Sequence, residues 1–257
     1  MHLKKHLGQH LLIAHPTVQK IARTLDPSKE DTVLEIGPGT GILTKELLKL
    51  GCNVIAVEKD SEMISNLKFQ ISDTDNLKII HADFLKFDLT YALEHLRTQA
   101  LFCGNLPYNI STPILFKLRE DRRLFDRGVV MLQKEVADRL VARPGSKDYG
   151  ILTILMQVTS KIEKCFNVSP RSFRPPPRVT STVVKMRFYQ EAPYKINNMQ
   201  LFETIVKSAF GKRRKMIRNT VPEECLSFLE KCGISATCRA EDVPIEHYAM
   251  LSNSINP

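Results

Sequence analysis

The chain has 257 residues, enough for one large α/β domain and a small appendage. Its hydrophobic fraction of 43% and charged fraction of 25% are ordinary for a globular protein, and no apolar run forms a membrane span or signal-peptide core. A formal net charge of +9 points to a polyanionic partner, and six cysteines without a CxxC pair argue against a zinc site or disulfide framework.

After a short basic arm, Thr32–Ile36 (TVLEI) reads as a buried strand that ends in a glycine-rich turn. Asn53–Glu58 (NVIAVE) reads as a second strand, Leu77–His81 (LKIIH) as a third, residues 100–103 (ALFC) as a fourth and 128–132 (GVVML) as a fifth. Segments with helical spacing, such as 43–50 and 63–71, lie between them. Alternating strands and helices imply parallel βαβ units, hence an α/β protein with a doubly wound, mostly parallel sheet. Ligands of such sheets bind at the carboxyl ends of the strands. The proline-dense loop 170–177 (PRSFRPPP) cannot be regular helix or central strand. Residues 182–188 (TVVKMRF) read as a last strand and 190–198 as a linker. Residues 201–209, 226–231 and 245–253 fit a small helical bundle. The expected division is a main domain over 1–190 and a helical domain over 191–257.

Chemistry enters first at Glu35-Ile36-Gly37-Pro38-Gly39-Thr40-Gly41, directly after a strand. Glycines there free the chain for a tight turn and let backbone amides approach a ligand. Glu58, which ends the next strand, can accept hydrogen bonds from both hydroxyls of a ribose. These features suit a nicotinamide enzyme or a methyltransferase. Two details favour the second. The spacing is GxGxG rather than the GxGxxG of a pyrophosphate turn, and the third strand also ends near an acid, Asp83, followed by Phe84. S-adenosylmethionine has no pyrophosphate but has an adenine amine, which Asp83 can bind and Phe84 can cover. The competing reading of Asp83 is a helix cap.

Asn105-Leu106-Pro107-Tyr108, at the end of the fourth strand, points to the acceptor. Adenine's exocyclic amine is a poor nucleophile because its lone pair is delocalised into the ring. An asparagine oxygen and a backbone carbonyl can accept both amine hydrogens and aim the lone pair at a methyl carbon. Pro107 stiffens the turn that presents the carbonyl, and Tyr108 can stack on the base. No strong general base is needed, because the methylated ammonium loses its proton to water. Phe173, flanked by Arg171 and Arg174, either closes over a flipped-out base or packs into the core.

Two basic stretches carry no acid: Arg171, Arg174, Arg178, Lys185 and Arg187 in the first, Lys207, Lys212, Arg213, Arg214, Lys215 and Arg218 in the second. Unmixed stretches suit a phosphate-binding surface better than a solvated helix face. No metal-ligand spacing is visible.

With these residues in hand, the sequence resembles the ribosomal small-subunit RNA adenine dimethyltransferases. These are the kasugamycin-sensitivity methyltransferases of bacteria and their archaeal and eukaryotic counterparts. The resemblance runs from Leu7-Gly8-Gln9 through EIGPGTG, NLPYNISTP, Gln133-Lys134-Glu135-Val136, Tyr149-Gly150, FRPPPRV and Arg213-Arg214-Lys215 to Arg239-Ala240-Glu241. It implies a Rossmann-like class I methyltransferase fold with a C-terminal helical domain. It implies S-adenosylmethionine contacts at His10, Leu12, Gly37, Gly39, Glu58, Asp83, Phe84 and Asn105. Asn105, Leu106, Pro107, Tyr108 and Phe173 would surround the target adenine, and Arg174, Arg178, Lys212, Arg213, Arg214, Lys215 and Arg218 would meet RNA. The implied reaction dimethylates two adjacent adenosines near the 3′ end of small-subunit rRNA. The implied setting is a cytoplasmic monomer acting on the immature small subunit, with no metal and no membrane. The elements FRPPPRV and RRK argue against large-subunit adenine methylation, and the intact Asn105–Tyr108 stretch argues against a binding protein without activity. One position departs from the family, which usually reads GQNFL where this chain has Gly8-Gln9-His10-Leu11-Leu12.

Overall fold

The computed structural model describes residues 10–71, 74–212 and 214–255. The chain opens with β1 (Leu11–Leu12) and α1 (His15–Leu25), then alternates β2 (Thr32–Ile36), α2 (Ile42–Lys49), β3 (Asn53–Glu58), α3 (Ser61–Gln70) and β4 (Leu77–His81). It continues with α4 (Leu89–Leu93), β5 (Ala100–Asn105), α5 (Ser111–Glu120), β6 (Phe125–Gln133), α6 (Lys134–Leu140) and α7 (Ile151–Gln157). The remaining elements are β7 (Ser160–Val168), β8 (Phe173–Arg174), β9 (Ser181–Phe188), α8 (Met199–Phe210) and α9 (Ile245–Ile255).

The apolar runs become central strands because both faces of the sheet are covered, so alternation has no role there. Val33, Leu34, Leu101, Phe102, Val129 and Val130 are all buried. The seven strands run in the order β4-β3-β2-β5-β6-β9-β7. The pairs β2–β3, β3–β4, β2–β5 and β5–β6 are parallel, whereas β9 lies antiparallel to β6. Strand order therefore reverses between β2 and β5, which places the glycine turn and Asn105 side by side at a topological switch point.

Helix α1 buries Val18, Ile21, Ala22 and Leu25, spaced at one helical face. The helix ends at Asp26 in the left-handed conformation, φ 55°. Its terminal carbonyls find a partner across the chain: Arg127 donates from Nε to the Leu25 carbonyl at 3.2 Å and from Nη2 to that of Asp26 at 2.7 Å. The proline loop contributes a two-residue strand, with Leu11 opposite Arg174 and Leu12 opposite Phe173. The Ile13 amide adds a hydrogen bond to the Ser172 carbonyl at 2.9 Å.

Contacts gather the chain into two compact units. One holds residues up to Ala137 together with Ile162–Phe188; the other holds Asp138–Lys161 and the residues from Tyr189 onward. The second unit is organised around aromatic rings. Tyr149 and Phe210 lie 6.3 Å apart and Phe210 and Tyr248 6.4 Å apart, measured between ring centres. Both tyrosines are fully buried, so each hydroxyl must find an acceptor: Tyr149 donates to the Val243 carbonyl at 3.0 Å and Tyr248 to that of Ala240 at 3.0 Å. Residues 226–231 are not an α-helix. Two short 3₁₀ turns, Glu223–Phe228 and Glu230–Cys232, occupy this stretch and stop at left-handed Gly233, φ 72°. Segments this short do not repay α-helix nucleation.

Substituting Tyr149→Phe removes one buried hydrogen bond while keeping the ring. Urea denaturation should show a loss of about 1–2 kcal/mol, from the bond itself and the stranded Val243 carbonyl.

Candidate active site

The carboxyl ends of β2, β3 and β5 supply the site. Gly37, Gly39 and Gly41 all take positive φ, 65°, 55° and 76°, so the turn after β2 folds back without strain. A side chain at Gly41 would collide with Leu67, while space opens beside Gly37. The turn is held from the next strand. Glu58 accepts the Gly39 amide at 3.2 Å through Oε2, and the amides of Lys59 at 2.8 Å and Asp60 at 2.9 Å through Oε1.

A cavity of about 40 Å³ lies between the turn and β5, lined by Leu11, Leu12, Glu35, Gly37, Gly39 and Asn105 among others. It has room for a few waters rather than a nucleoside. Leu11 stands against the turn, its Cδ2 3.3 Å from where a Cβ on Gly39 would be. The donor set nevertheless suits an adenosyl cofactor with a cationic centre. The turn offers close backbone approach, Glu35 lines the cavity, and Glu58 and Asp83 stand at the ends of β3 and β4.

Glu35 is fully buried. Burial pushes its carboxyl up to about 7, against the hydrogen bond that it accepts from the Thr44 hydroxyl; the nearby Glu58 adds to the rise. That hydrogen bond is 2.6 Å. A cationic ligand in the cavity would favour the ionised form.

Asp83 is pulled below the usual carboxylate range, chiefly by the hydrogen bond from Lys59 Nζ, 2.9 Å from Oδ2. Its Oδ1 accepts the Leu85 amide at 3.1 Å, so Asp83 caps a turn rather than a helix. The following Phe84 is buried.

At the end of β5, Asn105 donates from Nδ2 to the His10 carbonyl at 2.8 Å. Its Oδ1 is buried and accepts no hydrogen bond from any described residue. Leu106 is buried and its amide is held by the Met131 carbonyl at 3.1 Å. The Pro107 carbonyl is engaged by the Ile110 amide at 3.1 Å, so the carbonyl that this turn can present is that of Leu106. Tyr108 is fixed at both ends. Its hydroxyl lies 2.6 Å from the Ser181 hydroxyl, and its ring stands 5.3 Å from that of His10. Desolvation raises the Tyr108 phenol above its ordinary value, so it stays neutral.

Phe173 packs into the core with Leu12, Leu101 and Met131, 3% exposed. Of its two sequence readings, core packing describes this conformation. Arg174 and Arg178 are exposed on the first unit, and Lys212, Arg214, Lys215 and Arg218 on the second. Arg213 lies outside the described residues.

Thr44 and Ser181 also belong to the site, and the sequence reading assigns them no part; Pro175 it places only in the stiff loop around Phe173. Ser181 is 73 residues from Tyr108 and carries no motif of its own. Thr44 falls one helical turn into α2, where a hydroxyl facing a strand-end acid was a readable sign.

The family model for ribosomal RNA adenine dimethylases matches residues 1–257. The chain belongs to the ribosomal RNA adenine dimethylase family. It is therefore an enzyme, and its methyl donor is S-adenosylmethionine. It is similar to the ribosomal RNA small subunit methyltransferase A of Syntrophus aciditrophicus (strain SB), 38% identical over 98% of this chain and 94% of that protein. The protein of the same name from Hahella chejuensis (strain KCTC 2396) is 38% identical over 98% of this chain and 92% of its own length. Among solved structures, a dimethyladenosine transferase from Plasmodium falciparum superposes with a TM-score of 0.83 at 29% identity, covering 96% of this chain and 98% of its own. The 23S rRNA methyltransferase ErmE superposes with a TM-score of 0.73 at 25% identity, covering 96% of this chain and all of its own. The fold is the Rossmann-like methyltransferase fold with a seven-stranded mixed sheet and C-terminal helices.

Folded Glu35 keeps its proton to higher pH than the unfolded chain does. Between the usual carboxylate range and about 7, the native state therefore holds more protons, and stability falls as pH rises. Substituting Glu35→Gln removes this linkage. Urea titrations from about pH 5 to about pH 8 should show the wild type losing up to about 3 kcal/mol relative to the variant.

Proposed function

We propose that the chain transfers methyl groups from S-adenosylmethionine to the N6 amines of two adjacent adenosines near the 3′ end of small-subunit rRNA, giving N6,N6-dimethyladenosine. The observation that carries this reading is the Asn105 amide: its hydrogens face the His10 carbonyl, and its oxygen is left as a buried acceptor. A buried acceptor without a donor is costly in a resting protein. An amine bearing two hydrogens satisfies it, with the Leu106 carbonyl taking the second. The amine lone pair is then freed from the ring and aimed along one line. Tyr108 offers the base a ring whose plane is already fixed by Ser181 and His10.

S-adenosylmethionine supplies an electrophilic methyl group when bound. Gly37, Gly39, Glu58, Asp83 and Phe84 would hold its adenosyl part, with His10, Leu12 and Asn105 at its reacting end. To accept ribose hydroxyls, Glu58 would share oxygens that already accept backbone amides. Phe173, buried beside Leu12, would form part of the wall behind the base rather than a lid.

The portion over 1–190 would carry the chemistry and 191–257 the recognition of the immature small subunit. The exposed cations Arg174, Arg178, Lys212, Arg214, Lys215 and Arg218, with Arg213, would meet rRNA phosphates. No helix among the described residues is long and apolar enough to cross a membrane. A monomer working in the cytoplasm, where small subunits are assembled, fits this reading.

Unmethylated small subunits treated with enzyme and cofactor should yield dimethyladenosine by nucleoside mass spectrometry. The Asn105→Ala variant should yield none while still binding the subunit. Dimethyladenosine confined to large-subunit RNA would reject the assignment, and normal product from Asn105→Ala would remove the role of the amide.

Neutralising Arg213, Arg214 and Lys215 together should weaken subunit binding and reduce the slope of log affinity against log salt by about 2–3, at roughly 0.7–0.9 per lost phosphate contact. Binding measured across a salt series checks this; an unaltered slope would place those side chains away from RNA.

A further inference from the structure

Three segments remote in sequence meet at His10. Its backbone carbonyl accepts from Asn105 Nδ2 at 2.8 Å, its ring Nδ1 lies 2.8 Å from the Pro175 carbonyl oxygen, and its ring faces Tyr108 at 5.3 Å with 31° between planes. A carbonyl oxygen only accepts, so Nδ1 must carry a hydrogen and donate it. That bond exists in both the neutral and the charged ring. The strand pairing of Leu11 and Leu12 with Phe173 and Arg174 continues the same attachment into the proline loop.

The carbonyl contact decides which way the Asn105 amide faces. A primary amide can rotate by half a turn at little cost, exchanging donor and acceptor. In one orientation two carbonyl-type oxygens, that of His10 and Oδ1, would face one another. In the other, Nδ2 donates to His10 and Oδ1 faces the site as a pure acceptor. Only the second can take a hydrogen from an amine.

We propose that His10 is a positioning residue for methyl transfer: its ring clasps the proline loop so that its own carbonyl holds the Asn105 amide with the oxygen presented to the acceptor base. The inference rests on the proposed role of Asn105 in binding the adenine amine. His10 acts through Asn105 and touches no reacting atom in this role. An asparagine at position 10 reaches the Pro175 carbonyl with Nδ2, which stands as far from its backbone as Nδ1 does in histidine. A phenylalanine keeps the ring beside Tyr108 but has no donor.

The test compares His10→Ala, His10→Phe and His10→Asn in single-turnover methylation of unmethylated small subunits at saturating cofactor, with calorimetric titration of S-adenosylhomocysteine alongside. His10→Ala and His10→Phe should each slow methyl transfer about tenfold or more, because misaligned reacting groups lose rate steeply. This loss at saturating cofactor should stand beyond whatever His10→Ala costs in S-adenosylhomocysteine affinity, and His10→Asn should recover most of the rate.

A wild-type rate in His10→Phe would assign the effect to ring contact and overturn the clasp. So would a loss of S-adenosylhomocysteine affinity in His10→Ala with an unaltered saturated rate, which would make His10 a cofactor contact only. Wild-type methylation by Asn105→Ala would instead remove the reading beneath both, so the two failures are separable.

Discussion

Parallel strands engage one another's backbone along their length, so the free amides and carbonyls of such a sheet collect at its ends. Here the carboxyl ends of β2, β3 and β5 fall at adjacent positions because strand order reverses between β2 and β5. Most polar groups of the proposed site belong to those ends or to the neighbouring end of β4, where Asp83 stands. Glu58 gathers three backbone amides that the strand-to-turn transitions leave without ladder partners. The glycine turn stays open for a ligand because this carboxylate, rather than a side chain inside the turn, holds it.

The two carboxylates of the site live under opposite conditions. Glu58 meets backbone donors at both oxygens, whereas Glu35 is fully buried and draws on the hydroxyl and amide of Thr44. Burial, with a smaller push from the nearby Glu58, holds the Glu35 proton towards neutrality.

Much of this was legible in the sequence, for identifiable reasons. The strands β2, β3 and β4 were readable to the residue because each concentrates apolar residues between turn signals, although β4, at the sheet edge, is only partly buried. Asn105 stood out because an amide followed by a proline-stiffened turn at a strand end has specific chemistry. Other elements lacked such signals. Helix α1 is preceded by Ala14, which makes no side-chain cap, and has no acid in its first turn. Strand β7 is largely exposed, with Glu163, Lys164 and Cys165 on its outer surface, so it carries no apolar run. The Tyr108–Ser181 and His10–Pro175 contacts join residues 73 and 165 positions apart, and nothing local in either segment announces the other. Position 10, where the chain departs from its family's usual asparagine, is the case in which the structure adds most. Histidine and asparagine carry a donor at the same number of bonds from the backbone, so an asparagine at this position would keep a donor for the Pro175 carbonyl.

The chain passes between its two compact units at Ala137, at Lys161 and at Phe188. Tyr149 lies in the earlier of the two stretches of the second unit, yet its ring neighbour and its hydrogen-bond acceptor, Phe210 and Val243, come from the later one. The C-terminal helices are consequently not a cassette that recombination can trade between relatives. Grafting them without residues 138–161 would leave an aromatic core missing one of its rings. A lineage remodelling this unit would have to alter surface residues in place or inherit both stretches together.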